Sequence, residues 1–307
     1  MFVSLALFAA AQQIVIPLGK PPALPEKPIA PIEITGPKFA EKCKDWDEWE
    51  KPAPAVRVFG NTYYVGTCGI SSILITDPAG DILIDGGTEK GSALVAASIE
   101  SLGFRLTDVK YILNSHEHSD HAGGISELQR LTGAKVLASP AQAAVISSGT
   151  ASAGDPQQGL SAPFTAAHVD RVIHEGEQVR IGNTILQAVE TPGHMPGALT
   201  WHWGSCEAGV CRQIVYADSL TPKSNDKYRF SDHPAYLAAY RASIAKVAAL
   251  DCDILLSPHP SASHMVSRFG DANVEDRNAC RNYAADITKQ LDERLAKEAA
   301  GQQDPKP

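Results

Sequence analysis

The chain has no apolar run approaching the roughly 18 residues of a membrane-spanning helix, so no segment reads as transmembrane. It has no block of five Lys or Arg, and its formal net charge is −8 over 307 residues. Nucleic acids and anionic lipid surfaces select a concentrated basic face. Neither is an expected partner. No Cys-x-x-Cys pair occurs, which speaks against a zinc ribbon or a thioredoxin-type site. No internal repeat is detectable. Apolar material is not lacking. Hydrophobic residues make up 44% and charged residues 20%, ordinary globular usage, which excludes disorder as the main state. The length suits one large domain or two ordinary ones and buries a full core without needing disulfides to fold.

The ends of the chain differ from its middle. Met1 to Ala11 is apolar, and Ala9-x-Ala11 fits a small-residue cleavage site, although the basic stretch of a secretory signal is missing. We read residues 1–11 as a signal segment. Residues 12–40 carry seven prolines, from Pro17 to Pro37. Proline lacks the N–H that helices and sheets need, so this segment is expected to be an extended arm. The main domain is expected over 41–300, with a polar tail at 301–307.

The six cysteines form an even set whose spacing leaves the connectivity open. Cys206-Glu-Ala-Gly-Val-Cys211 reads as a stapled hairpin tip. We pair those two, then Cys43 with Cys68 and Cys252 with Cys280. Disulfides imply an oxidising compartment, so the expected location is periplasmic or secreted.

Short β-branched and aromatic runs at 61–67, 72–76 and 81–84 read as strands separated by Gly, Asp or Pro. Thr88 to Leu102 reads as a helix with Leu94, Val95, Ile99 and Leu102 on one face and Gly103 at its C-cap. Strands at 109–113 and 135–138 alternate with helices at 124–131 and 141–147. Residues 148–164 are small, polar and glycine-rich, a long loop of the kind that often carries function. The second half repeats the theme, with strands near 170–174, 178–181, 184–190, 199–203, 213–217 and 253–256. Helices follow at 234–250 and through Tyr283, Ile287, Leu291 and Leu295. Two mixed halves, each a sheet with outer helices, suggest an α/β fold: a four-layer αββα sandwich in a single domain.

The decisive segment is Asn114-Ser-His116-Glu-His118-Ser-Asp120-His121-Ala-Gly-Gly124, directly after the strand at 109–113. In extended chain His116 and His118 point the same way, because side chains alternate with period 2. Asp120 and His121 fall where the chain turns into the next helix. Imidazole and carboxylate suit Zn²⁺ at about 2.0–2.2 Å.

This His-x-His-x-Asp-His pattern resembles the signature of the metallo-β-lactamase superfamily, and the resemblance runs from about residue 40 to 295. It implies that the His194 of Thr191-Pro-Gly-His194 completes a first metal site with His116 and His118. It also implies that His259, in Ser257-Pro-His259, completes a second site with Asp120 and His121. His264 is the competitor for that place. His168, His174, His202 and His233 read as ordinary surface or packing residues. Six ligands exceed one tetrahedral Zn²⁺, so two Zn²⁺ per chain are expected, each with an open position. Glyoxalase-type hydrolases and many lactonases of this fold carry a bridging Asp near residue 219, and another lactamase subclass carries Cys. This chain reads Ala217-Asp218-Ser219-Leu-Thr221-Pro222, with Ser219 at the bridging position. Asp218, one residue off on a strand, should face the other way. That pattern, with Gly60-Asn-Thr-Tyr-Tyr-Val-Gly66, Ile84-Asp85-Gly-Gly87 and the cysteine layout, resembles subclass B3.

The resemblance implies a zinc-dependent β-lactam hydrolase associated with antibiotic resistance. A hydroxide held between two zincs would attack the lactam carbonyl, oriented by Asp120, with no covalent enzyme intermediate. Ser219 and Thr221 would bind the substrate carboxylate, and Tyr228 would donate to the carbonyl oxygen. Gln157 and Phe164 are candidates for the cleft roof, and Asp85 for orienting a ligand histidine. The expected partner is a small β-lactam, with no nucleic acid, no membrane and a monomeric chain. The rival readings are a lactonase or glyoxalase II-like thioesterase on the same fold, and an exported zinc-binding protein without activity.

Overall fold

The computed structural model describes residues 36–301. The signal segment, the arm before Gly36 and the tail beyond Gly301 lie outside the described residues.

A first sheet of seven strands runs in chain order: β1 (Val56–Phe59), β2 (Thr62–Tyr64), β3 (Ile73–Asp77), β4 (Gly80–Ile84), β5 (Val109–Leu113), β6 (Lys135–Ala138) and β7 (Val169–Val172). β1 to β4 pair antiparallel, and β4 to β7 pair parallel. A second sheet has the order β12-β11-β10-β9-β8. Its strands are β8 (Gln178–Ile181), β9 (Thr184–Glu190), β10 (Leu199–Glu207), β11 (Val210–Tyr216) and β12 (Ile254–Leu256). The first four pair antiparallel, and β12 lies parallel to β11.

The helices are α1 (Gly36–Lys42), α2 (Ser92–Ser101), α3 (Ser119–Ala122), α4 (Ile125–Thr132), α5 (Pro140–Ser148), α6 (Pro234–Ala249), α7 (Met265–Gly270) and α8 (Ala279–Ala299). Period-2 alternation sorts the strand residues into layers. Ile73, Ile75, Ile82 and Ile84 face a core between the sheets, where they share space with Trp201, Trp203, Ile214 and Tyr216. Leu74 and Leu83 face the opposite way, onto Val95, Ile99, Ile125 and Leu128 of α2 and α4. Val215 and Leu255 face α6 and α8 through Tyr240, Ile244, Tyr283 and Ile287. Three cores between four layers make the αββα sandwich.

Two expectations change. Residues 36–40 are not extended arm. They form most of α1, with Pro37 in the first turn, where its missing N–H costs nothing. Burial of Phe39 against Tyr64 and Phe269, with ring centroids 5.1 and 5.3 Å away, holds this helix on the domain. The helix expected from Thr88 begins at Ser92, because the Thr88 hydroxyl accepts from Gly91 N and closes a separate turn first.

All six cysteines are paired, as Cys43–Cys68, Cys206–Cys211 and Cys252–Cys280. No described helix is long and apolar enough to cross a membrane.

Candidate metal centre

β4, β5, β9, β11 and β12 all end at the same edge of the sandwich, and each hands its next residues to one cleft. β5 delivers Ser115 to His118. The single turn of α3 then swings Asp120 and His121 back beneath them, with His118 still extended at its N-cap. β9 delivers His194, β11 delivers Asp218 to Thr221, and β12 delivers His259. Leu199 N donates to Ser115 O at 2.7 Å, tying the two sheets together at this edge.

The imidazoles converge. Ring centroids of His116, His118 and His194 lie 4.8–5.0 Å apart. One ligand atom from each of these three lies within 4.8 Å of the others, and the same holds for His116, Asp120 and His121. His259 joins the second group. Its Nε2 lies 3.3 Å from both Asp120 Oδ2 and His121 Nε2. His264 does not join. It is exposed, in the left-handed region at φ 55°, because the turn at 260–263 carries it away from the edge. His168 is exposed near Asp170, and His233 stacks on Tyr228.

Three of the rings have a hydrogen-bonded outer partner that fixes their orientation. His116 Nδ1 lies 2.7 Å from Asp218 Oδ1, His194 Nδ1 lies 2.8 Å from Thr221 O, and His259 Nδ1 lies 3.3 Å from Gly69 O. His121 Nδ1 faces Asp85 Oδ2 at 3.6 Å. With acceptors outside, Nδ1 carries the proton and Nε2 offers its lone pair inward. His118 is turned the other way, with Nε2 3.5 Å from Asp155 Oδ1, which leaves its Nδ1 for the centre.

These residues fit a divalent metal. His116 Nε2 is fully buried with no hydrogen-bond partner, a costly arrangement unless a cation takes the lone pair. Burial, then neighbouring His121, holds His116 well below the usual imidazole range, and burial with His118 does the same for His194. Both stay neutral, as ligation requires. Burial alone would raise the Asp120 carboxyl, but His121 and His259 hold it well below the usual carboxylate range, so it is ionised. Burial opposes charge on His121, yet Asp120, Asp85 and Asp218 raise it. With every described cysteine oxidised, no thiolate competes.

Asp218 is fully buried and meets the outer nitrogen of His116, while the neighbouring Ser219 Oγ is buried without a partner. Burial pushes the Asp218 carboxyl well up in the metal-free chain, and a cation beyond His116 would favour its ionised form. Asp218→Asn is therefore expected to weaken metal binding about 10- to 100-fold. Chelator competition measures this, and wild-type affinity in the variant would refute the pairing.

Gln157 reaches the centre, its Nε2 lying 3.3 Å from His194 Nε2. Asn225 anchors that loop by donating to Pro156 O and Gln158 O. Phe164 does not line the roof. It packs against the apolar core under α2 and α4, because Phe164 N donates to Gly149 O and closes the base of the loop. Tyr228 stacks on His233, with centroids 4.4 Å apart, and meets Phe230 edge-on. None of its contacts among the described residues reaches the histidine cluster. Burial, then Glu298, pushes its phenol to about 12, so it remains a donor.

Several contributors were invisible in the sequence. Asp155 and the carbonyl of Gly69 lie on loops with no motif. Tyr236 and Tyr240 read only as an amphipathic face of α6. Tyr236 donates to Gly193 O at 3.2 Å, Tyr240 donates to Leu220 O, and Ser243 donates to Pro192 O at 2.7 Å. One helix face thus braces the loop before His194 and the strand end before Thr221.

The family model described as metallo-beta-lactamase superfamily matches residues 65–259, a span that holds all six converging side chains. The chain belongs to the metallo-β-lactamase superfamily. Within it, the chain is 52% identical to the MIM-2 metallo-β-lactamase, with 86% of this chain and 98% of that one aligned at a TM-score of 0.83. It is 48% identical to MEM-A1, a subclass B3 metallo-β-lactamase from a soil metagenome library, over 83% of this chain and all of that one (100%), at a TM-score of 0.80. Among curated relatives, the hydroxyacylglutathione hydrolase of Rhodospirillum rubrum is 30% identical over 123 residues, 40% of this chain. The chain spans only 39% of that relative's length.

Proposed function

We infer that the protein is a zinc-dependent β-lactam hydrolase of the B3 type. One observation favours this over a thioesterase or lactonase. At the end of β11 the only carboxylate, Asp218, is spent on His116 Nδ1, and the residue beside it is Ser219 with a free buried hydroxyl. The likeness to B3 enzymes over nearly their whole length supports the same reading.

In this reading His116, His118 and His194 would hold one zinc, and Asp120, His121 and His259 a second. Bound zinc supplies a Lewis acid and lowers the pKa of water towards about 7. The chain supplies the rest. Asp120, kept ionised, accepts a hydrogen bond from the attacking water and sets its direction. The Ser219 hydroxyl binds the substrate carboxylate, with Thr221 beside it, and holds the lactam carbonyl against the centre. Gln157 covers the His194 side and limits water there. Tyr228, still protonated, is the donor available from the 224–230 loop. No side-chain nucleophile is needed, and no free cysteine exists among the described residues to serve as one. The three disulfides support an exported, periplasmic or secreted protein.

The test is hydrolysis of a carbapenem and a chromogenic cephalosporin by the purified protein, before and after treatment with a chelator. Turnover is expected, lost on chelation and restored by zinc. Zinc-loaded protein that cleaves a thioester or a lactone instead would establish the rival hydrolase. Zinc-loaded protein that cleaves none of them would establish a binding protein.

A further inference from the structure

A cavity of about 780 Å³ opens beside the metal centre and runs along α8. Its size is that of a small-ligand pocket. Thr221, Trp46, Lys223, Ala262, Ile287 and Gln290 are among the residues that line it. Two of these residues lie next to the two halves of the centre. Thr221 Oγ1 lies 3.0 Å from His194 Nδ1, and the Trp46 ring lies 6.4 Å from the His259 ring.

Trp46 is 66% exposed, unusual for so large an apolar side chain. It is also held out on purpose-built backbone, at φ 57°. Next to it, Asp47 is buried and accepts from Lys44 N, Glu48 N and Lys51 Nζ, at 3.0, 2.9 and 2.8 Å. The Cys43–Cys68 disulfide spans this turn. The Lys223 ammonium lies 5.4 Å from the Trp46 ring centre. A rigid turn therefore presents a flat aromatic face to a groove lined by His264 but by none of the converging histidines.

We propose that this groove binds the ring substituent that cephem-type β-lactams carry on the carbon next to the carboxylate-bearing carbon, with Trp46 stacking on planar substituents. The proposal rests on the lactamase reading and on Ser219 and Thr221 as the carboxylate anchor. Thr221 lines the groove, so a carboxylate held there would set the adjacent ring carbon and its substituent beside it. Aromatic stacking supplies the preference for planar groups. The Lys289–Glu293 pair on the groove wall, 4.0 Å apart, tolerates polar atoms on the ring.

The experiment compares kcat/KM for two cephalosporins with the same acylamino side chain. One carries a methyl group and the other a heteroaryl-thiomethyl group on the carbon in question. Trp46→Ala is expected to lower kcat/KM for the heteroaryl substrate about 2- to 10-fold and to leave the methyl substrate unchanged. Gln290→Trp fills the groove from the exposed face of α8, far from the fold's core, and is expected to act in the same selective way. Equal losses on both substrates, or no loss on either, would overturn the proposal while leaving the lactamase reading intact. Failure of zinc-loaded wild-type protein to cleave either substrate would instead overturn the reading beneath it.

Discussion

Replacing His194 by alanine is expected to lower kcat/KM for a β-lactam on the order of 10³-fold or more. The variant also removes one of three imidazoles from the first group. A bound metal contributes several kcal/mol to charge stabilisation in the transition state, and each 1.4 kcal/mol or so is a factor of ten in rate. The loss should come from the centre and not from unfolding. The loop around His194 is held independently, by Tyr236 on Gly193 O and Ser243 on Pro192 O. Removing the imidazole leaves those bonds in place. Metal analysis should show the zinc content falling by about one per chain, with the metal-free melting temperature nearly unchanged. His168→Ala is the control, since that side chain is 80% exposed. A His194→Ala protein with normal turnover and normal zinc content would mean that another side chain completes the first group.

His194 is assigned in the sequence through the family resemblance of its Thr191-Pro-Gly-His194 motif, while the positions of strand ends are legible from pattern alone. The functional side chains follow strand ends, and strands announce themselves through alternation. Ile-Leu-Ile-Thr at 73–76 and Asp-Ile-Leu-Ile at 81–84 divide cleanly between two cores, so their ends were legible. The period-2 rule also placed Asp218 on the face opposite Ser219, which is where it meets His116. Short-range pattern was less use elsewhere. β1 has four residues between a Pro-rich stretch and a tight turn, too few to show alternation. The first residues of α1 read as extended arm because Pro37 and the prolines before it are visible in the sequence and the burial of Phe39 is not. Phe164 and Gln157 share one loop, and nothing in the loop's composition says that one turns into the core and the other over His194. Trp46 is exposed through a backbone twist that Asp47 maintains, a tertiary property with no local signature.

The largest effect on stability is expected at Asp85, which binds no substrate. It ends β4 in the left-handed region at φ 65°, a conformation that Asp tolerates and most residues do not. Its carboxylate is fully buried and accepts from Ser115 N at 2.6 Å, Ser115 Oγ at 2.7 Å and Tyr216 Oη at 2.7 Å. Ser115 follows β5 and Tyr216 ends β11, so one side chain joins the two sheets at the edge where the centre lies. Asp85→Ala leaves three buried donors without an acceptor. At about 1–3 kcal/mol for each unsatisfied group, with about 1 kcal/mol more for alanine at positive φ, the cost is roughly 4–10 kcal/mol. That is a large part of the 5–15 kcal/mol or so that holds a typical domain together. Asp85→Asn keeps one acceptor oxygen and the tolerance for positive φ, and should cost about half as much. Urea unfolding of the metal-free proteins measures both, so that metal binding does not mask the difference. An alanine variant within about 1 kcal/mol of wild type would show that water can replace the carboxylate and that the sheets are joined elsewhere.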